Sequence, residues 1–240
     1  MGLTLQKVCQ CDTLFQKQST VETKGGARDK HQGSETSKRK VFKDKYVQIG
    51  KIGQGGFSKV YLVSNIKTSK QYALKKVSKS SMNASTNKIT ISNIMNEKKI
   101  LLKVCHPFII KFSSCFQDSK NLYYVMEYCK GGSISKYLKR VGFFSENVSR
   151  FYIAEIVLGL KALHYEYKII YRDLKPENCL LGDDGHIKIT DFGLSTIDKK
   201  FSTTGCGTPE FIAPEILKNQ PHPRTAHHRT PGRTRHRAHR

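Results

Sequence analysis

The sequence predicts an α+β fold in which five strands with one inserted helix precede a long helix, a loop and a hairpin. Three observations point there. Between residues 46 and 126, short runs alternate apolar and polar side chains with the period of strands. One segment among them, and a second from residue 145, space their apolar residues as helices do. The 240 residues correspond to about 1.6 typical domains, so one domain with polar ends is expected rather than a repeat array or a mini-protein.

Residues 1–45 are rich in Lys, Ser, Thr, Gln and Gly without a sustained period and read as a disordered basic leader. Tyr46 to Ile52 alternates as a strand, Gly53 to Ser58 reads as a turn, and Lys59 to Val63 resumes as a strand. Gln71 to Val77 supplies a third. From Asn87 to Lys103, Ile91, Ile94, Met95, Ile100 and Leu101 fall on one side of a helix. Ile109 to Phe112 and Leu122 to Met126 complete the five strands. Ser145 can cap a helix running through Tyr165 with Val148, Phe151, Tyr152, Ile156, Leu160 and Leu163 inward. That helix is apolar nearly all round and so expects neighbours on more than one side. Leu180-Leu181 and His186 to Ile189 flank Asp183-Asp184-Gly185, a hairpin signal.

The formal net charge is +23, which invites an acidic partner. Its location argues against nucleic acid: residues 219–240 hold six Arg, five of the nine His and no acid, with almost nothing apolar and no interleaved aromatics, and read as a disordered tail. Seven Cys with no repeated CxxC pair do not suggest zinc. The amino terminus lacks an apolar targeting region and no apolar run approaches the length that spans a bilayer, so an intracellular, cytoplasmic chain is expected. Gln6 stands where myristoylation after Met1-Gly2 would want Ser or Thr.

Several residues could carry chemistry. The glycine-rich stretch Gly53-Gln54-Gly55-Gly56-Phe57-Ser58 continues into a strand and lacks Gly-Lys-Ser/Thr, which excludes the dinucleotide-binding loop and the P-loop. A loop folded over phosphates and a plain hairpin turn both remain. Glu97 sits beside the apolar face of its helix, and Lys75 lies in a strand; they either pair with each other or both reach for water. Tyr171-Arg172-Asp173-Leu174-Lys175-Pro176-Glu177-Asn178 packs polar groups between apolar runs, and Asp191-Phe192-Gly193 follows the hairpin. Asp173 could orient and deprotonate a hydroxyl, Lys175 could neutralise a transferring phosphoryl, and Asn178 with Asp191 offers oxygen ligands suited to Mg²⁺.

Together these motifs resemble the signature set of the eukaryotic protein kinases over residues 46–218. Gly53-x-Gly55-x-x-Ser58-x-Val60 resembles the Gly-rich loop, Lys75 the strand lysine and Glu97 its helix partner. Asp173 and Asn178 match the catalytic loop, Asp191-Phe192-Gly193 the metal loop, and Ala213-Pro214-Glu215 the end of the activation segment. Lys175 marks the serine/threonine type. Tyr171, His106-Pro107-Phe108 and Gly207-Thr208-Pro209-Glu210-Phe211 are similar to the AGC-like group, the cyclic-nucleotide-dependent kinases and protein kinase C.

The resemblance implies two lobes, at about 46–127 and 128–218. It implies an ATP site formed by Ile52, Gly53, Gly55, Gly56, Phe57, Ser58, Val60, Ala73, Lys75, Met126 as gatekeeper, Glu127 and Cys129 at the hinge, and Leu180. It implies Mg²⁺ on Asn178 and Asp191, and in-line transfer to a protein substrate with Asp173 receiving the hydroxyl proton. Thr204 matches a phosphosite for an upstream activating kinase, with Arg172 as its partner.

The pattern also breaks. Ser58 replaces the third glycine, and Ser133 stands where the group has an acid that reads basic side chains, a role Glu177 keeps. After Ala213-Pro214-Glu215-Ile216-Leu217 the family's further helices do not follow, and no Trp occurs anywhere, so an incomplete helical lobe is expected. About six large apolar side chains of the 145–165 helix and catalytic region would then stay wet, at about 1.5–3 kcal/mol each. Beside an active serine/threonine kinase, the sequence leaves an inactive fragment acting through nucleotide or partner binding.

Overall fold

The computed structural model describes residues 41–55, 58–80, 88–197, 201–202, 208–211 and 222–223. Its first layer is one antiparallel sheet. The strands are β1 (Val41–Phe42), β2 (Tyr46–Gln54), β3 (Ser58–Asn65), β4 (Gln71–Ser78), β5 (Phe112–Gln117) and β6 (Asn121–Glu127), in the order β1-β2-β3-β4-β6-β5. Helix α1 (Lys88–Lys103) is inserted between β4 and β5. The alternation read from the sequence sorts the two faces. Val63, Leu74, Tyr123 and Val125 bury on one side with Phe42 and Tyr46. Val77 and Tyr124 bury with Ile94 of α1.

Three sequence expectations are corrected in this layer. The leader does not extend to residue 45, because Val41 and Phe42 pair with Val47 and Tyr46 as a sixth strand, and Phe42 is buried against Tyr61 and Tyr123. The strand expected at Ile109 to Phe112 begins only at Phe112; Ile109 and Ile110 are buried in a different cluster, with Ile109 bridged to Ile189. Met95 is exposed, because the buried stripe of α1 runs through Ile94, Glu97, Ile100 and Leu101.

The second part begins with β7 (Gly132–Ser133) and helix α2 (Ile134–Val141). Ser133 caps α2 by accepting from Lys136 N at 3.3 Å. Gly142, at φ 87°, ends it with an N–H to the Leu138 carbonyl at 2.7 Å. Helix α3 (Glu146–Lys161) starts at Ser145 as expected, the cap accepting from Val148 N at 3.4 Å. It passes into a π turn at Ala162–Glu166 rather than running on as α-helix to Tyr165. Leu160 and Leu163 are buried and Tyr152 and Ile156 pack on the core, but Val148 and Phe151, expected inward, are exposed. They lie in the first two turns of the helix, where Phe151 meets the His186 ring at 5.8 Å but stays about half exposed.

Short strands carry the remaining loops: β8 (Ile169–Ile170) pairs with β11 (Thr196–Ile197), and β9 (Cys179–Leu181) with β10 (Ile187–Ile189) and β7. The anticipated β9–β10 hairpin forms, with Ile187 opposite Leu181, Ile189 opposite Cys179 and Gly185 at φ 80° in its turn. The buried cluster of Ile109, Leu163, Ile169, Tyr171, Ile189 and Phe192 lies under these loops. Two residues of the stretch expected to be an unstructured tail, His222–Pro223 (β13), pair with Phe201–Ser202 (β12), since backbone pairing does not need apolar side chains. No helix among the described residues is long and apolar enough to cross a membrane.

Candidate active site

Lys75 lies on β4 with Leu74 and Lys76 on the opposite face, between Val60 of β3 and Tyr124 of β6 in register. Tyr124 donates its hydroxyl to the Ile94 carbonyl at 3.3 Å, one turn before Glu97, and so fixes where α1 sits on the sheet. Lys75 Nζ then reaches Glu97 Oε1 at 2.6 Å and Asp191 Oδ1 at 3.4 Å. Of the two readings left open for this pair, the mutual ion pair is the one that forms. Burial disfavours the Lys75 ammonium, but the Glu97 and Asp191 carboxylates outweigh it and hold its pKa above the usual lysine range. Burial pushes the Glu97 carboxyl up against the pull of Lys75, so the pair carries a desolvation cost and serves position more than stability. Lys75 holds the Asp191 carboxyl below its ordinary value.

Asp173 is buried at the other side of the site and receives three donors. Asn178 Nδ2 and Lys175 Nζ each reach Oδ2 at 2.9 Å, and the Thr208 hydroxyl donates to Oδ1 at 2.9 Å. Lys175 also donates to Thr208 Oγ1 at 2.9 Å, closing a ring of three side chains. Asn178 Nδ2 bonds the Asp173 carbonyl as well, at 2.9 Å. Both of its bonds use the amide nitrogen, so the carbonyl oxygen is the atom Asn178 can offer a cation. It and the half-exposed Asp191 carboxylate are both hard-oxygen donors, the chemistry that suits Mg²⁺.

Two residues here adopt the left-handed region, Arg172 at φ 70° and Asp191 at φ 60°, a strain typical of loops held for function. Their neighbours hold them. Arg172 Nε donates to the Leu194 carbonyl at 2.5 Å, and Ser195 donates to the Tyr171 carbonyl at 3.0 Å. Tyr171, fully buried, donates its hydroxyl to the Thr190 carbonyl and meets Phe192 edge-on at 5.5 Å. Its burial pushes the phenol well above the ordinary value, so it stays a neutral donor. Tyr171 therefore ties the Asp173 segment directly to the residue before Asp191.

The expected nucleotide-site residues fall in two groups. Ile52, Gly53, Gly55, Ser58 and Val60 stand on the β2–β3 ribbon, where Gly53 pairs with Val60 and Gly55 N donates to the Ser58 carbonyl at 2.8 Å. Ala73 pairs with Leu62 and Met126, and Met126, Cys129 and Leu180 share the cluster beneath. Glu127 is tied to Lys111 N through Oε1 at 2.6 Å. Burial pushes the Cys129 thiol up to about 12, so it stays protonated. A cavity of about 570 Å³ opens beside Glu127 and Cys129, lined also by Gln71, Tyr128, Lys130, Asp183 and Lys188; Lys75 and Asp173 do not line it, and the ion-pair geometry defines the rest of the site. Gly56, Phe57, Thr204 and Ala213-Pro214-Glu215 lie outside the described residues. Sequence reasoning missed Tyr124 and the role of Thr208, whose partners are distant in the chain; the strand pattern shared with Lys75 was the available signal for Tyr124.

Comparison with known proteins bears on the chain as a whole. A protein kinase domain model matches residues 46–227. The chain is 44% identical over 177 residues to a cAMP-dependent protein kinase catalytic subunit of Dictyostelium discoideum, covering 74% of this chain and 27% of the relative. It is 43% identical over 178 residues to serine/threonine-protein kinase sgk-1 of Caenorhabditis elegans, covering 72% and 38%. It is 41% identical over 184 residues to cAMP-dependent protein kinase catalytic subunit 3 of Drosophila melanogaster, covering 77% and 31%. The chain thus spans between about a quarter and two-fifths of the length of these relatives.

Proposed function

The chain belongs to the protein kinase domain family, and from that premise we propose that it transfers the γ-phosphoryl group of ATP to a serine or threonine hydroxyl of a protein substrate. The observation that supports this reading is the two clusters, Lys75 with Glu97 and Asp191 and Asp173 with Lys175, Asn178 and Thr208, whose segments the Tyr171–Thr190 bond joins. Lys75, fixed by Glu97, holds the α/β phosphates, with the β2–β3 ribbon over them and Ala73, Val60, Met126, Cys129 and Leu180 around the adenine. Asp191 and the Asn178 carbonyl would hold Mg²⁺, which would supply neutralisation of phosphate charge.

The reaction needs little covalent chemistry from the protein. The substrate oxygen bonds to the γ phosphorus, the bond from that phosphorus to the β–γ bridging oxygen breaks, and ADP leaves. The hydroxyl proton passes to Asp173, while Lys175 offsets charge on the transferring group. Thr208 keeps Asp173 and Lys175 in one orientation. Phosphorylation of Thr204 by an upstream kinase would add about −1.5 to −2 charges to that loop, with Arg172 as the partner of opposite sign.

The test is label transfer from γ-labelled Mg·ATP to a serine-bearing protein by the purified chain and by Asp191→Asn. Transfer that falls about a hundredfold or more in the variant is expected. Equal transfer by both proteins contradicts the reading.

A further inference from the structure

Helix α3 has a second apolar face, turned away from the core. Its buried side runs through Tyr152, Glu155, Ile156, Gly159 and Leu160. On the opposite side Phe151, Ala154, Leu158 and Lys161 recur at spacings of three and four, with Arg150 and Val157 beside them, and Tyr165 of the π turn continues the row. Phe151, Ile153, Val157, Leu158 and Tyr165 are 49% to 63% exposed. Apolar residues spaced in this way form the seam by which two helices pack together.

The charges along the face indicate what it fits. Ala154, the smallest residue of the row, stands near the middle of α3, with Glu146 eight residues before it and Lys161 seven after. They lie about 12 Å and 10 Å from it along the axis, in opposite directions. A face with opposite charges at matched distances from a small central residue is complementary to itself when reversed. Residues 219–240, with almost nothing apolar, offer it no counterpart.

We propose that this face is the interface of a homodimer in which α3 of a second copy packs antiparallel across Ala154. Glu146 of each chain then meets Lys161 of the other, and Phe151 meets Val157. Arg150, bound to Glu146 at 2.6 Å, lays its stem along the other chain's Leu158. The contact is isologous, as the two-fold axis of a dimer requires. A parallel pair would oppose Glu146 to Glu146 and Lys161 to Lys161. At about half exposure, the five apolar side chains and the stems beside them offer about 500 Å² per chain, and about 1,000 Å² for two chains is the lower bound of a specific contact. The dimer is therefore weak. The net charge of +23 opposes it, but at 0.15 M salt charges more than about 8 Å apart are largely screened while contact pairs keep much of their attraction. The inference does not depend on the kinase reading.

The test is the molar mass of the full chain by sedimentation equilibrium, from about 1 to 200 µM in 0.15 M salt. Wild type passes from one chain mass to two, half-associated at about tens of micromolar, as a contact of this size allows. Ala154→Glu and Leu158→Lys, both at exposed positions, leave the unfolding temperature of the dilute chain unchanged and weaken association at least about tenfold. Glu146→Lys and Lys161→Glu each weaken it about tenfold alone, because both charge contacts become repulsive. An equimolar mixture of those two variants restores it, because both contacts are again between opposite charges. One chain mass at every concentration overturns the proposal; failure of an apolar dye to bind that chain would assign the face to another segment of the same molecule. Association that survives Ala154→Glu and Leu158→Lys overturns it as well, as does a mixture of the charge variants no tighter than either alone. None of these measurements reads label transfer, so a failure here and a failure of the kinase reading are told apart.

Discussion

Lys75 has two carboxylate partners, and the balance between them decides what its variants do. Replacing it by Met leaves Glu97 buried without its cation, a loss that typically costs about 3–5 kcal/mol, reduced here because a carboxyl already pushed up by burial can take a proton. Thermal unfolding of Lys75→Met across pH should show that relief: the destabilisation shrinks as pH falls, because the uncharged Glu97 is the form that burial favours. Asp191 behaves oppositely. Its carboxyl is held below the ordinary value by Lys75, so the stability of that contact is present above the ordinary carboxylate range and is lost only on acidification below it. Nucleotide affinity is therefore expected to show no step from Asp191 between about pH 5 and 8. Thr208→Ala should lower kcat about tenfold or more by releasing Asp173 and Lys175, with Thr208→Ser retaining most activity; steady-state kinetics reads this directly. At this scale the sequence pointed to Lys75 and Glu97 as charged groups beside apolar neighbours, with pairing left open, and to Asp173, Asn178 and Asp191 as polar groups in loops between apolar runs. It did not disclose Thr208 or Tyr124, whose hydroxyls look like any others until the chain brings Asp173 and Ile94 to them.

Elements were legible where the period was long and clean. Strands β2 to β4, α1 and the β9–β10 hairpin follow their apolar spacing. Helix α2 was overlooked although Ile134, Tyr137, Leu138 and Val141 have helical spacing between Ser133 and Gly142, because eight residues give a weak pattern beside the long helix that follows. The Ile109 to Phe112 run misled because buried loop residues and strand residues are equally apolar. Close approach leaves a sharper mark than period at Gly131, where an added Cβ would lie 2.6 Å from Leu181 Cβ and 2.9 Å from its carbonyl oxygen. Gly131→Ala should cost about 1–3 kcal/mol in chemical denaturation, since backbone cannot give way as a flexible side chain can. The β5–β6 turn supplies a pH test. Burial would raise the Asp118 carboxyl, but donors from Tyr123, Lys120 N and Asn121 N prevail and hold it at about 2. Their contribution is present above the ordinary Asp value and lost as pH falls from about 4 to about 2. Hydrogen exchange at the Lys120 and Asn121 amides should quicken over that interval relative to the intrinsic rate, and unchanged protection at pH 2 would count against it.

For the molecule as a whole, the expectation that the 145–165 helix would leave about six large apolar side chains wet is met: Val148, Phe151, Ile153, Val157, Leu158 and Tyr165 are each at least 38% exposed. Replacing Ile153 and Leu158 by Lys should change unfolding free energy by no more than about 0.5 kcal/mol each while reducing binding of an apolar dye, because neither side chain contributes to the described core. The net charge of +23 was the least informative number, since it belongs to every part of the chain rather than to one face. What the whole arrangement claims is that Asp173 faces a substrate hydroxyl while Lys75 and Asp191 hold the nucleotide. The most direct test compares γ-phosphoryl transfer from Mg·ATP by the wild-type chain and by Asp173→Asn, with nucleotide binding measured on both. The account predicts transfer reduced at least about a hundredfold in the variant with nucleotide affinity retained within about threefold; transfer by Asp173→Asn at the wild-type rate would contradict it.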